Sequence, residues 1–447
     1  MKKNKENRFL FQVTTLVSGS LIAALINFLV SPVLTRLFLP EDMGLLASYV
    51  AVVSIIGVVA SGRYDLAIVL PDHDSDAVSV ALAGLIVSFL FSGLVFIVFI
   101  FGQNKLVPLL GLYGINHIWF FLIPLAVFMI GVEQILIRIS IRIQKFKNMA
   151  QAQILQQASD NFIKVSSGLL SFGTSGLYLG TLVGHFCKMC ILFFKSQSFI
   201  FRNWGYTNKA KILEQASRYK KFPLIASWSG LLNTASTQLP VVLFSSFFSA
   251  EVAGYFALGH RVLSLPIVLI STNVGQVFLE RASKARNDKK ELSEITFRIY
   301  KNLLIIGLIG MSVVSFWGNV IFPFIFGNQW TEAGRYAQFM SLWLIFVFAS
   351  SPLSQLFSVL EKQGEGFIWN MVMLFSRVGI ILIGALAQFP PIITVLHFSL
   401  IGLVIWAAQS LRVLKLSGIK YSVGILQTLK CIGIIYIPHY LIYLIVR

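Results

Sequence analysis

Long apolar stretches, separated by short polar segments, recur along almost the whole chain of 447 residues. A helix rises 1.5 Å per residue, so about 20 apolar residues cross roughly 30 Å of hydrocarbon. The pattern predicts thirteen membrane-spanning helices, at residues 11–37, 44–62, 77–101, 116–137, 149–172, 176–195, 222–247, 251–279, 299–322, 333–360, 366–388, 392–411 and 424–446. The predicted fold class is an all-α polytopic membrane protein.

Composition agrees with this pattern, because a mean hydropathy of +0.80 with only 12% charged residues is far from that of ordinary soluble domains. The basic start "MKKNKENRFLFQ" resembles a signal peptide. The apolar stretch after it is too long, contains Asn27 and has no small-residue cleavage site. We therefore expect a retained first helix.

The net charge of +18 raises the question of nucleic-acid binding, which the distribution of the basic residues answers. If the N-terminus is cytoplasmic, the inner segments hold most basic residues, at positions 2–8, 138–147, 195–221, 281–301 and 412–420. The outer loops hold little beyond Arg36, Lys105 and Arg335. This asymmetry is typical of membrane topology, so no nucleic-acid partner is expected.

Two pairs of similar stretches indicate an internal repeat. "SPVLTRLFLPEDMGLLASY" resembles "LPVVLFSSFFSAEVAGYFAL", and "VPLLGLYGINHIWFFLIPLAVF" resembles "FPFIFGNQWTEAGRYAQFMSLW", with nearly equal spacing between partners. We predict two six-helix lobes around a central cavity. Their limits are 1–200 and 222–415, with a basic cytoplasmic linker at 201–221 and an extra hydrophobic segment at 416–447.

Arginines within the predicted spans are candidate binding residues, because a charge at the bilayer centre costs about 2.5 to 3.5 kcal/mol. Arg261 lies well inside the eighth helix, and Pro266 after it is a candidate hinge. Arg377 lies near the middle of the eleventh helix. For each, the alternative is a bond to a neighbouring helix alone.

Three further charged residues in the spans are candidates for coupling or gating. Asp160 and Lys164 are four residues apart in the favourable order, which predicts a self-contained ion pair, with a proton-carrying Asp160 as the alternative. Glu133 either pairs with Arg138 or Arg142, or has a functional role.

The stretch "ASGRYDLAIVLPDHD" places Arg63 and Asp65 at the inner end of the second helix. The acidic residues that follow, Asp72, Asp74 and Asp76, are unexpected on a positive inner face, although acids contribute little to topology. We predict that Arg63 pairs with Asp65 and that the pair caps or gates the cytoplasmic mouth of the cavity.

Signatures of catalysis and metal binding are missing from the sequence. There is no phosphate-binding loop and no zinc-protease motif. "HFCKMC", with His185, Cys187 and Cys190, has no fourth ligand nearby, and three cysteines cannot form a disulfide framework. We expect no enzyme activity, no metal and no cofactor.

Five stretches, in chain order, resemble one known family: "LINFLVSPVLTRLFLPEDMGLLASY", "GRYDLAIVLP", "YKKFPLIASWSGLLNTASTQLPVVLFSSFFSAEVAGYFALGHRVLSLP", "GQVFLERASKAR" and "AGRYAQFMSLWLIFVFASSPLSQLFSVLEKQG". They are similar to bacterial polysaccharide-biosynthesis proteins of the Wzx type. These form the oligosaccharide-flippase branch of the multidrug/oligosaccharidyl-lipid/polysaccharide exporter superfamily. The resemblance runs from the first to the twelfth helix.

The resemblance implies a function in surface polysaccharide biosynthesis, for O-antigen, capsule or exopolysaccharide. The substrate would be an oligosaccharide on undecaprenyl pyrophosphate, moved by alternating access to the outer face of the bacterial inner membrane. Arg261, at the place where such a family arginine is expected, Arg377 and Arg63 would meet the headgroup. A proton or sodium gradient is a candidate energy source, and a polymerase and a chain-length regulator are candidate partners.

Three other functions remain open from the residues. An ion-coupled drug exporter of the same superfamily would favour acids and aromatics over arginines in its cavity. A membrane enzyme on lipid-linked sugars is disfavoured by the short loops and the missing catalytic set. A scaffold without transport would leave the charges in the spans unexplained.

Overall fold

Helices make up all the regular secondary structure of the part of the chain that the structure describes. This structure, a computed structural model, describes the backbone of residues 2–446 and the side chains of residues 18–271 and 273–444. The basic side chains at positions 2–8, expected on the inner face, lie outside the described side chains. The prediction of an all-α fold is confirmed.

The chain divides into two compact units, Met1–Ser246 and Phe247–Arg447. In the first unit α5 packs against α2, α3 and α7, and α6 packs between α1 and α7. Its helices are α1 Lys2–Leu37, α2 Pro40–Gly57, α3 Asp74–Leu109, α4 His117–Phe121, α5 Ile123–Arg142, α6 Phe146–Leu169, α7 Ser175–Trp204, α8 Lys209–Arg218 and α9 Ser227–Phe247.

In the second unit α13 is the central helix, packed against α10, α12 and α16. Helix α17 packs on α12, and α15 on α16. The helices of this unit are α10 Ala250–Pro266, α11 Thr272–Lys284, α12 Lys289–Phe326, α13 Thr331–Ser350, α14 Leu356–Val359, α15 Gln363–Leu386, α16 Pro391–Leu416 and α17 Tyr421–Val446.

Among the described residues, ten helices are long and apolar enough to cross a membrane, or eleven if the bent pair Asn328–Ser350 and Pro352–Val359 is one span. The sequence pattern predicted thirteen. The other two predicted spans form α6 and α9, which are helical but carry too many amides, hydroxyls and charges to count as apolar. Polar helices in a membrane protein need either protein neighbours or a water-filled cavity.

The prolines of the predicted repeat occupy matching places in the fold. Pro32 and Pro240 lie in the last two turns of α1 and α9, each followed by a short turn and a new helix. Pro108 and Pro323 lie in the last turn of α3 and α12. Proline lacks the N–H that would bond the carbonyl four residues earlier, so it weakens the last turns of each helix, close to where the helix ends.

The division between the two units lies later in the chain than the predicted linker at 201–221. That linker contains α8, which packs on α3. Helix α9 belongs by its contacts to the first unit, because Ser245 and Ser246 donate hydrogen bonds to the carbonyls of Gly111 and Leu109. The arrangement of six plus six helices stays a prediction from the repeat.

Helices α12 and α13 approach closely where glycine faces glycine, which gives a testable packing contact. A Cβ at Gly318 would lie 2.7 Å from the backbone oxygen of Gly334, whereas a Cβ at Gly310 on the same helix would meet nothing within 4 Å. We expect Gly318→Ala to destabilise the protein by about 2 kcal/mol through overpacking. Gly310→Ala should be neutral or stabilising, since alanine favours helix. Thermal unfolding of the detergent-solubilised variants measures both, and equal melting temperatures would contradict the packing.

Candidate functional site

A cluster of ionisable side chains lies between α5 and α7 of the first unit. Glu133 of α5 is 3% exposed and accepts two contacts from α7. His185 Nδ1 lies 2.8 Å from Glu133 Oε1, and Lys188 Nζ lies 3.0 Å from Oε2. The Gln156 amide of α6 reaches the same His185 nitrogen at 3.3 Å. Glu133 therefore pairs across helices with α7, and not with Arg138 or Arg142 as one sequence-based alternative held.

Asp160 and Lys164 form the predicted ion pair on α6. Lys164 Nζ lies 2.7 Å and 2.9 Å from the two carboxylate oxygens of Asp160. On α7, Gly180 and Gly184 face this pair, and a Cβ at either would approach Asp160 to 3.1 Å or less. Glycine at both positions therefore lets α7 pack directly on this ion pair, whose charges would be costly in contact with hydrocarbon.

Asp65 is buried and binds a different arginine from the one predicted. Its Oδ1 accepts a hydrogen bond from Ser61 Oγ at 2.8 Å, and its Oδ2 lies 3.5 Å from Arg138 Nε. The predicted Arg63–Asp65 pair is therefore wrong. Arg63 has a φ of 57° and immediately precedes the short 3-10 turn Tyr64–Ala67, which contains Asp65. Residues two apart on such a turn lie on different faces of it.

The Arg63 guanidinium instead packs against α9. A Cβ at Gly230 would lie 3.3 Å from Arg63 Cζ and Nε, so glycine leaves the room that this side chain occupies. Arg63 Nε is buried and has no hydrogen-bond partner among the described residues. A buried charged donor without a hydrogen-bond partner is costly, so this side chain is energetically unsatisfied in the structure.

The acidic loop after Asp65 is held by basic residues of the first unit. Arg142 Nε binds Asp74 at 2.9 Å, and its Nη1 donates to the carbonyls of Ile68 and Pro71. Lys211 of α8 binds Asp76 at 2.6 Å. The acids on this face therefore serve to fix the connection between α2 and α3.

Arg261 lies on a face of α10 that the second unit leaves exposed. The opposite face, with Phe256, Gly259 and Leu263, is buried, and Gly259 faces α13. Regular α-helix ends at Pro266 and resumes at Thr272 after a wider helical turn. The break lies where the proline predicted a hinge.

Arg377 is buried, at 7% exposure, inside an aromatic cluster of the second unit. Its Cζ lies 4.3 Å from the Trp343 ring centroid and 5.1 Å from that of Phe398. Its Nε and Nη2 have no hydrogen-bond partner among the described residues. Cation–π contacts of this kind contribute about 2 kcal/mol when desolvated. The two rings enclose Arg377 within the helix packing. In this structure its side chain is therefore not accessible to a headgroup.

Sequence reasoning missed the roles of His185 and Lys188. His185 was weighed only as part of a metal-like spacing, and the described residues contain no group of three or more histidine, cysteine, aspartate or glutamate side chains arranged for a metal ion. The available signal was their separation by three residues, which places both on one face of α7. Their partner on α5 could be found only from the fold.

The fold resembles that of solved transporters. The lipid II flippase MurJ, in an inward closed conformation, superposes with a TM-score of 0.74 at 16% identity over 97% of this chain and 92% of that one. An inward-facing multidrug resistance MATE family transporter of the MOP superfamily gives 0.64 at 17% identity, covering 91% and 95%. Together with the apolar helices, this similarity defines a multi-pass membrane protein with a transporter fold.

The family follows from sequence comparison. The chain belongs to the polysaccharide biosynthesis protein family, which matches residues 33–335. It is 21% identical over 383 residues to the succinoglycan biosynthesis transport protein ExoT of Rhizobium meliloti, covering 81% of this chain and 71% of ExoT. It is 21% identical over 378 residues to the capsular polysaccharide biosynthesis protein CapF of Staphylococcus aureus, covering 80% and 87%.

Proposed function

We propose that this protein flips oligosaccharide units linked to undecaprenyl pyrophosphate from the cytoplasmic to the outer face of the bacterial inner membrane. The single observation that carries this is Arg63, whose buried Nε has no hydrogen-bond partner among the residues with described side chains, while the nearby Asp65 is bound by Arg138. Arg63 is therefore not neutralised by the carboxylate two residues away. Relatives named for succinoglycan and capsular polysaccharide biosynthesis support the substrate class.

Arginine suits a pyrophosphate headgroup because its planar guanidinium binds phosphate oxygens in pairs and stays charged at all physiological pH values. We assign headgroup contacts to Arg63 in the first unit and to Arg261 in the second, where Arg261 is exposed. Arg377 would join this set only in a conformation that separates it from Trp343 and Phe398.

An oligosaccharide needs a water-filled path through the membrane, whereas its prenyl tail can stay in the lipid. The polar helices α6 and α9 support such a path, because neither is apolar enough for full lipid exposure. Polymerase and chain-length regulator remain candidate partners, and the positive-inside pattern supports a cytoplasmic N-terminus.

Transport against a gradient would need coupling, for which we propose the ionisable groups Asp160, Lys164, Glu133 and Asp65. Each of these is paired in this structure. Binding of a proton or a sodium ion would weaken one of these pairs and so favour a second conformation.

The test is flipping by the purified protein in liposomes. A fluorescent undecaprenyl-pyrophosphate-linked oligosaccharide on one leaflet is followed by a quencher or a glycan-cleaving enzyme that reaches the other leaflet only after translocation. We expect transfer that requires the protein and is competed by unlabelled lipid-linked oligosaccharide but not by a cationic drug. Transport of the drug alone would overturn the proposal in favour of a drug exporter.

A further inference from the structure

An open groove lies between α6 and α7 of the first unit. Its volume is about 350 Å³, within the range of about 300–1,000 Å³ that is typical of clefts holding small molecules. The groove follows α6 from Gln151 to Ala158, which is about 10 Å at the rise of an α-helix. These dimensions suit a stretch of alkyl chain.

The lining of the groove changes from polar to apolar along its length. Lys195 and Gln151 line the end that the positive-inside pattern places toward the cytoplasm. Deeper in the predicted spans the lining is apolar and consists of Ile154, Leu155, Ala158 and Ile191. A phospholipid has the same order, with a polar headgroup at the membrane surface and acyl chains below it.

Two lysines meet at the polar end of the groove without a carboxylate. The Lys145 ammonium, just before α6, donates a hydrogen bond to the backbone carbonyl of Lys195 at 3.2 Å. Both side chains are exposed, and neither forms an ion pair with any residue that the structure describes. Three residues before Lys145, Arg142 already binds Asp74. Because two cations close together repel each other, an anion at this end of the groove is favourable.

The groove opens on the outer surface of the first unit. Leu155 in the groove is 40% exposed, and Phe194 on α7 is 63% exposed. Ala152 and Gln156, on the inward side of α6, are buried. In a membrane protein an exposed apolar surface of this kind contacts lipid. A lipid can therefore enter the groove sideways from the bilayer, whereas a free inorganic anion would leave its apolar part unfilled.

We propose that the groove between α6 and α7 binds one anionic phospholipid of the cytoplasmic leaflet. Its phosphate contacts the ammonium groups of Lys145 and Lys195, and one acyl chain lies along Leu155 and Ile191. Lysine binds phosphate as a point charge without fixed geometry, so the site selects negative charge and not one particular headgroup. This binding does not depend on the proposed transport function.

The experiment is photo-crosslinking of the full chain in nanodiscs of phosphatidylcholine. Phosphatidylglycerol and phosphatidylethanolamine, each with the same photoreactive acyl chain, are added at equal mole fraction, and labelled peptides are identified by mass spectrometry. We expect phosphatidylglycerol to label residues 151–158 and 191–195 at least about tenfold more than phosphatidylethanolamine, because each lysine near the surface attracts an anionic lipid by about fivefold in affinity.

Two variants separate charge from shape. The double variant Lys145→Gln with Lys195→Gln should lower labelling by phosphatidylglycerol to the level of phosphatidylethanolamine. Ala158→Phe fills the deep end of the groove without changing charge, and should lower labelling by both lipids. The matched control, Lys220→Gln with Lys221→Gln, removes the same charge from two exposed positions of the first unit and should change nothing. Thermal unfolding confirms that each variant is folded.

Three outcomes would overturn the lipid site. Equal labelling of the groove by both lipids, or phosphatidylglycerol labelling that survives the loss of Lys145 and Lys195, would reduce it to an ordinary lipid-covered surface. Displacement of phosphatidylglycerol by an equal mole fraction of undecaprenyl pyrophosphate would assign the groove to the lipid carrier instead. No flipping is measured, so a failure of the proposed function leaves this result unchanged.

Discussion

Replacing Arg261 by alanine is expected to slow flipping of the lipid-linked oligosaccharide by at least about tenfold. A hydrogen bond to a charged group contributes about 1.5–3 kcal/mol, and a pyrophosphate crossing the membrane has few other partners. Arg261→Lys should retain part of the rate, because lysine keeps the charge and loses the paired geometry. The liposome assay measures all three proteins at equal amounts of folded protein, checked by gel filtration.

The control for Arg261 is Arg335→Ala in the same unit. Arg335 is exposed and pairs with Glu332 one helical turn earlier, so its loss should leave the rate within twofold of the wild type. If Arg261→Ala and Arg261→Lys both flip at the wild-type rate, Arg261 does not bind the headgroup, and Arg63 remains as the arginine to test.

Replacing Glu133 by alanine is expected to give the largest loss of stability among the ion-pair residues. Removing one partner of a buried pair costs about 3 to 5 kcal/mol, because the other charge stays buried without compensation. In Glu133→Ala the charge left without its partner is that of Lys188, whose side chain is 13% exposed. The double variant Glu133→Ala with Lys188→Met should recover most of the loss. Equilibrium unfolding in mixed micelles measures the free energies.

Glu280→Ala is the matched control for this double-mutant cycle. Glu280 and Lys284 form an equivalent carboxylate–lysine pair, with side chains 68% and 76% exposed. An exposed pair of this kind contributes little to stability, because water and salt screen the two charges. If Glu133→Ala and Glu280→Ala destabilise the protein equally, or if Lys188→Met rescues nothing, the buried cluster does not stabilise the first unit.

Local chemistry allowed some contacts to be predicted from sequence. The pair of Asp160 and Lys164 follows from a spacing of four residues on one helix, which brings the two side chains together whatever the tertiary structure. The matching places of Pro32 and Pro240 follow from the repeated stretches in the same way.

Contacts between helices could not be predicted from spacing. Arg63 and Asp65 are two residues apart and were expected to pair, but a backbone turn separates them and Arg138 of α5 supplies the partner. Glu133 was expected near arginines of its own helix, yet its partners lie on α7. A long side chain reaches several neighbouring helices, so only the packing selects its partner.

The count of spans shows the same limit. Length and apolar content marked α6 and α9 as spans, although both carry many amides and hydroxyls and α6 also carries charges. The sequence does not say whether these polar groups face lipid, protein or water.

The sequence by itself determined that the chain is an all-helical membrane protein and where its long helices lie. It also determined which charged residues lie within those helices, where a charge without a partner is costly. These properties depend on composition and short-range periodicity, which folding does not change. Only the tertiary structure decided that Glu133 binds His185 and Lys188, that Asp65 binds Arg138, and that Arg377 is enclosed by Trp343 and Phe398. Such contacts join residues far apart in the chain, and their free energy depends on the distance and burial that helix packing alone sets.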